Sequence, residues 1–110
     1  MNDMISQKLS AYPTSIKDLF IQIRSLIYEV DDKVEEKLWA KLPSYYKGDK
    51  FIRLIPFKNH INIEASSIKN HRELFTEYEI TPKGMLKVFL NQDLPVDELK
   101  KVFSLTILNI

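Results

Sequence analysis

Between Ile16 and Val30 the apolar residues mark one side of a helix. Ile16, Leu19, Phe20, Ile23, Leu26, Ile27 and Val30 recur at steps of three and four, which stacks their side chains at about 3.6 residues per turn. Pro13 precedes this stripe. Ser15 with Asp18 three residues later predicts a capping box, each side chain satisfying a backbone amide of the first turn. Asp31 and Asp32 follow the stripe, and because carboxylates oppose the negative end of a helix they are expected just beyond it, in a turn. A shorter helical piece over Asp3 to Ala11, with Met4, Ile5 and Leu9 apolar, leads in.

From Val34 the period falls to two. Val34, Glu36, Leu38 and Ala40 alternate with Glu35, Lys37, Trp39 and Lys41, the signature of a strand. Pro43 is expected to interrupt it, and Tyr45 and Tyr46 to resume extended structure. Lys47-Gly48-Asp49-Lys50 reads as a hairpin turn, where glycine supplies a positive φ. Phe51 to Phe57 is apolar on both faces except at Arg53, which predicts a central strand ending at Pro56. After a turn at Lys58-Asn59, Ile61, Ile63 and Ala65 alternate with His60, Asn62 and Glu64, the pattern of a strand buried on one face.

Ser66 or Ser67 is expected to cap a middle helix reaching about Tyr78, with Ile68, Leu74, Phe75 and Tyr78 as its contacts. Glu79 to Thr81 is extended, Pro82-Lys83-Gly84 turns, and Met85 to Leu90 forms the last strand. Asp93-Leu94-Pro95 then introduces a closing helix with Val96, Leu99, Val102, Phe103 and Thr106 or Ile107 on its apolar side. The order predicts a two-layer α+β domain over residues 1–110. Its mainly antiparallel sheet carries N-terminal, middle and C-terminal helices on one face.

Composition narrows the chemistry. A chain of 110 residues buries a core without a metal or disulfide, and 45% hydrophobic with 28% charged residues fits an ordered globular domain. Sixteen basic against fifteen acidic residues leave +1, so no global field draws the protein to nucleic acid or anionic lipid. The absence of cysteine excludes thiol catalysis, disulfides and thiolate zinc sites. The first residues lack a signal-peptide pattern, and no stretch of about 20 apolar residues occurs, which predicts a soluble cytoplasmic protein without a membrane partner. With glycine only at 48 and 84 there is no phosphate loop, and neither histidine lies in H-E-x-x-H, so the chain reads as non-enzymatic.

The segment EEKLWAKLPSYYKGDKFIRLIPFKNHINIEASS, followed by TPKGMLKVFLNQDLP and a terminal helix, resembles the YdhG-like family of small bacterial proteins. The resemblance rests on the proline after the first strand, aromatics before a glycine turn, Phe57-Lys58-Asn59-His60-Ile61, and the Lys83-Gly84 turn before a strand and Leu94-Pro95. Most members are described only as a domain of unknown function, and some as frataxin-like iron chaperones. The resemblance therefore implies iron as the bound species and an iron-accepting protein as partner. Where many members have Tyr-Gly-x-Pro, this chain has Ala40-Lys41-Leu42-Pro43.

Iron in a chaperone is held by hard oxygen donors, and Asp31, Asp32 and Glu35, beside Glu36, form the best cluster for it. The competing reading is a solvated turn, with Lys33 and Lys37 neutralising part of the charge. His60 and Glu64 share a strand face but stand roughly 13 Å apart at the strand rise, too far to chelate one ion unaided. His71 with Glu73 and Glu77 is less well placed still. The alternative to iron is a small-molecule or protein-interaction module with an aromatic and basic groove at Trp39, Tyr46, Arg53 and Lys58. Arg53, a cation in an apolar strand, marks either a structural ion pair or the polar point of a pocket.

Overall fold

The apolar stripe forms helix α2, Thr14–Val30, with Ile16, Phe20, Ile23 and Ile27 fully buried in a computed structural model that describes all 110 residues, Met1 to Ile110. It follows α1, Asp3–Leu9, whose first amides are met by the Asn2 carboxamide. The capping box at Ser15 does not form. Pro13 occupies the cap position and the helix begins at Thr14, so Ser15 and Asp18 already lie inside the first turns, out of register for reciprocal bonds. Pro13 serves instead through its carbonyl, which accepts from the amides of Ile16 and Lys17.

Six strands follow: β1 Glu35–Trp39, β2 Leu42–Lys47, β3 Lys50–Pro56, β4 His60–Ala65, β5 Glu79–Ile80 and β6 Leu86–Phe89. They make one antiparallel sheet in the order β1-β2-β3-β4-β6-β5. Helix α3, Val96–Ile107, lies with α2 against one face of it. The fold is the expected α+β domain of two layers, and its shortest dimension of 23 Å leaves no room for a third. A single cluster of 23 buried apolar residues joins the helices to Ile52, Leu54, Ile61, Ile63, Leu86 and Val88 of the sheet, so there is one core.

Two local expectations change. Ser66 to Tyr78 forms two short 3-10 turns, Ile68–Asn70 and Arg72–Phe75, in place of one middle helix. The run Lys69 to Glu73 is polar throughout, so a continuous helix there would have no apolar residue to bury between Ile68 and Leu74. Pro43 does not interrupt a strand either. The first strand ends at Trp39, and Pro43 sits inside β2 opposite Leu38, at a point where the ladder to β3 has not yet begun. Its missing amide therefore removes no ladder bond to β3.

The hairpin that makes this possible turns on Ala40 and Lys41, both at positive φ (50° and 68°). Two central residues at positive φ are what a two-residue hairpin of matching twist requires, and Asn-Gly is the pair that adopts them without a steric cost. Gly48 provides a positive φ of 62° in the β2–β3 turn, whereas the β1–β2 turn holds two side chains in that region. Replacing Ala40-Lys41 by Asn-Gly is expected to raise the stability by roughly 1 kcal/mol, because it relieves the left-handed strain. Urea unfolding of the double variant checks it, and an unchanged or lower midpoint contradicts it.

Candidate functional site

Alternation along the strands sorts their side chains onto two faces. The helices cover the one that carries Tyr45, Ile52, Leu54, Ile61, Ile63, Leu86 and Val88. The other has no layer over it. Its residues follow from the register: Lys37, Ser44, Arg53 and Glu64 form one cross-strand row, and Trp39 and Leu42 lie in the next, with Ile55, Asn62 and Lys87.

Arg53 is the centre of this face, yet it is 5% exposed. Its guanidinium lies between two aromatic rings, 4.1 Å from the centroid of Trp39 and 4.0 Å from that of Phe51. In the plane it is equally engaged: Nε donates to Ser44 Oγ at 2.8 Å, Nη2 to Tyr46 Oη at 2.8 Å and Nη1 to Glu64 Oε1 at 3.2 Å. Tyr46 stacks at a tilt on Phe51, with centroids 5.7 Å apart, and the Lys37 ammonium stands 4.6 Å above the Tyr46 ring. A desolvated cation is tolerated here because both its faces and its edges are occupied. Trp39 remains 52% exposed, so the outer surface of this stack is an indole.

At the other end of the face His60 lies between Phe57, stacked at 4.5 Å, and Phe89 at 4.8 Å. Burial, and then the Lys87 ammonium, holds its imidazole below the ordinary range. Asn62, between the two aromatic groups, is 9% exposed, and its Oδ1 has no hydrogen-bond partner.

Of the expected groove, Trp39, Tyr46 and Arg53 come together and Lys58 does not. Lys58 is exposed on the β3–β4 turn, past the end of the strand that carries Arg53. The larger surface depressions also lie elsewhere, of about 460 Å³ beside Tyr28 to Lys33, about 310 Å³ beside Asp18 and Leu94, and about 300 Å³ beside Met4 and Leu38. The face around Trp39 is thus broad rather than hollow.

The three acids are not brought together into a metal centre. Asp31 Oδ2 lies 2.7 Å from the Lys47 ammonium, and Asp31 Oδ1 accepts the Lys33 amide at 2.9 Å. The Lys47 bond, followed by the Lys33 amide, holds the Asp31 carboxyl below its usual range. Asp32 is exposed in the turn, and Glu35, on the open face of β1, pairs with Lys37 at 3.4 Å. No group of three or more acidic, histidine or cysteine side chains in the chain is arranged to hold an ion. His71, in the third cluster considered, has Nδ1 2.9 Å from the Ser67 carbonyl.

Glu36, opposite in direction to Glu35, is committed to the fold. Its carboxylate meets Arg24 Nε at 2.6 Å and the Asn2 amide at 2.7 Å, tying β1 to both N-terminal helices. Burial works against its charge, but the bonds from Arg24 and Asn2 outweigh it and leave the carboxyl below its ordinary range. Neither this ion pair nor the burial of Asn62 was legible from spacing. The signal that existed was the period of two, which assigns Phe51 to the Arg53 face once the Gly48 turn fixes the register.

These features define the class: a two-layer α+β domain with one sheet face left uncovered and an aromatic-clamped arginine at its centre. No helix is long and apolar enough to cross a membrane. No family model, curated protein or solved structure matches the chain.

Arg53→Lys is expected to cost about 1–3 kcal/mol in urea unfolding, since an ammonium cannot reach Ser44, Tyr46 and Glu64 from one stacked plane. A loss below the error of the measurement would show that the clamp is not structural. The Glu36 carboxyl sets an acid limb. Its folded value lies below its unfolded one, so its contribution is complete above the unfolded range near about pH 4.3 and is lost as pH falls through the folded value. Glu36→Gln is therefore expected to be less stable than the parent at neutral pH, with the two curves converging in acid. Parallel curves from pH 7 to 2.5 would contradict the assignment.

Proposed function

We propose that this chain is a non-enzymatic, YdhG-like protein-interaction module whose working surface is the open sheet face around Trp39, Tyr46 and Arg53. The observation that carries the reading is the clamped arginine: a cation 5% exposed, on a face with no helix over it, under an indole that is half exposed. Trp, Tyr and Arg held in a desolvated cluster are the residues that dominate the energy of protein interfaces. They are also ordered before any partner arrives. Binding to this face then costs little side-chain entropy, because Arg53 is already fixed on Ser44, Tyr46 and Glu64.

The same bonds weigh against a small anionic ligand, since the guanidinium edges are already occupied by protein acceptors. Breadth without a deep cavity points the same way, toward a macromolecular surface. Iron handling, the function that the YdhG-like resemblance implies, draws little support from Asp31, Asp32 and Glu35. Asp31 would have to leave Lys47, and Glu35 belongs to a different face of the molecule from Glu36.

The test is NMR of the labelled protein at low micromolar concentration with indole, phenol and short apolar peptides as probes. Shifts are expected at Trp39, Tyr46, Phe51 and Ile55 and to disappear in Trp39→Ala, while Fe(II) under reducing conditions leaves Asp31, Asp32 and Glu35 unmoved. Probe shifts confined to the Tyr28 to Lys33 depression, or saturable Fe(II) shifts at the three acids, would overturn the reading.

A further inference from the structure

We propose that the partner of the open face is an acidic segment of another protein, with a carboxylate held by Lys69 and Lys83 in a cleft beside Phe51 and an apolar side chain laid on Trp39. This rests on the interaction-module reading above and names the chemistry of its partner. Within the face Lys37, Arg53 and Lys87 each have an anion, Glu35, Glu64 and Glu79, at 3.4, 3.2 and 3.0 Å. Lys69 and Lys83, at its margin, take part in none of the ion pairs of the molecule.

The cleft opens where the end of β4 meets the turn after it and the turn between β5 and β6. It has a volume of about 130 Å³ and is bordered by Phe51, Glu64, Ser66, Lys69, Lys83 and Gly84. Gly84 brings the two lysines together. It is buried at a φ of 90°, and a methyl group there would stand 3.3 Å from Lys69 Cβ and 3.4 Å from its Cδ. The Lys69 stem therefore runs along Gly84, the residue next to Lys83. A stem laid against backbone has lost part of its freedom before any ligand arrives, which lowers the cost of ordering its ammonium on one. Two like charges on one concavity repel each other, and a bound anion relieves that repulsion.

Phe51 and Glu64 make the cleft continuous with the arginine clamp, because the Phe51 ring lies on the Arg53 guanidinium and Glu64 Oε1 accepts from Arg53 Nη1. Size and charge select the occupant. About 130 Å³ is well below the roughly 300–1,000 Å³ of sites for whole small molecules and suits the tip of a side chain. Ammonium groups act as point charges, and the edges of the Arg53 guanidinium are already occupied, so no bidentate fork is offered to a phosphate. Glu64 in the wall opposes a dianion more than a monoanion, which favours a carboxylate. Trp39 and Phe51 lie on either side of the guanidinium at 4.1 and 4.0 Å, a span that extended chain crosses in about two to three residues at roughly 3.3 Å apiece. The acid therefore stands about three residues from the apolar side chain.

NMR titration of the labelled protein tests the proposal with three blocked peptides that carry leucine and, three residues on, glutamate, glutamine or phosphoserine. At low ionic strength the glutamate peptide is expected to bind about fivefold tighter than the glutamine peptide, moving the Lys69 and Gly84 amides together with the Trp39 indole, and the preference is expected to fade by about 1 M salt. Lys69→Gln combined with Lys83→Gln is expected to abolish the preference while binding of the glutamine peptide and far-UV circular dichroism stay unchanged, since both side chains are exposed. Equal affinity for the two peptides, or a preference that the double variant keeps, overturns the acidic partner. The interaction-module reading survives that result if the Trp39 shifts persist. A phosphoserine peptide that displaces the glutamate peptide from the same lysines overturns the carboxylate as occupant. Trp39 unmoved by every peptide overturns both.

Discussion

A sheet with helices on one side only must find another way to dry the centre of its uncovered face, and here Arg53 and the rings around it do so. The strand β3 alternates strictly, so the neighbours that send Ile52 and Leu54 into the core send Arg53 outward. No third layer exists to shield that position. Trp39 from β1 and Phe51 from β3 close over the guanidinium, and Ser44 and Tyr46 from β2 and Glu64 from β4 bind its edges. Four strands are thereby joined by one side chain across a surface that backbone bonds alone would leave exposed to water.

The edge strand β1 shows why this matters for the whole fold. An edge has partners on one side only, and this one leads into a turn with two non-glycine residues at positive φ, so side chains add to what its single ladder supplies. Side chains hold it from both faces. Inward, Glu36 is bound by Arg24 and by the Asn2 amide; outward, Trp39 lies on Arg53 and Lys37 over Tyr46. Two arginines, one for each face, fix the strand that presents Trp39. The strain of the Ala40-Lys41 turn is offset by contacts that would be absent from an isolated hairpin.

What could be read from the sequence divides along the same line. The α2 and α3 stripes, the Gly48 turn and the alternation of β4 are local patterns, and local patterns survive folding. The Ala40-Lys41 turn was hidden because neither residue belongs to a type that favours it, so Pro43 looked like a break when the break lay just before it. The Ser66 to Tyr78 segment carried helix-like apolar ends without a helix-like middle. For the site, Trp39, Tyr46 and Arg53 share a parity that alternation reveals. Lys58 was grouped with them by nearness in sequence, which a turn undoes. Among the acids, Asp31 is taken by Lys47 and Glu36 by Arg24, residues from other elements whose approach no spacing encodes, while Glu35 pairs with Lys37 two residues on and Asp32 stays exposed in its turn.

The three ion pairs that lie within the open face also constrain how anything can recognise it. Long-range attraction needs unbalanced charge, and apart from Lys69 and Lys83 at its Phe51 margin such a face offers little of it. Association would then proceed with little steering, at a rate set mainly by orientation, and discrimination among acidic partners would rest on the fit of apolar and aromatic contacts made after encounter. That places the selectivity of the face in the shape of the Trp39 ridge and the Phe57-His60-Phe89 stack. The Asn62 oxygen is already buried without a donor in the free protein, so its cost falls on the fold and not on binding, and discrimination between a right partner and a near one is left to the match of the two aromatic ridges.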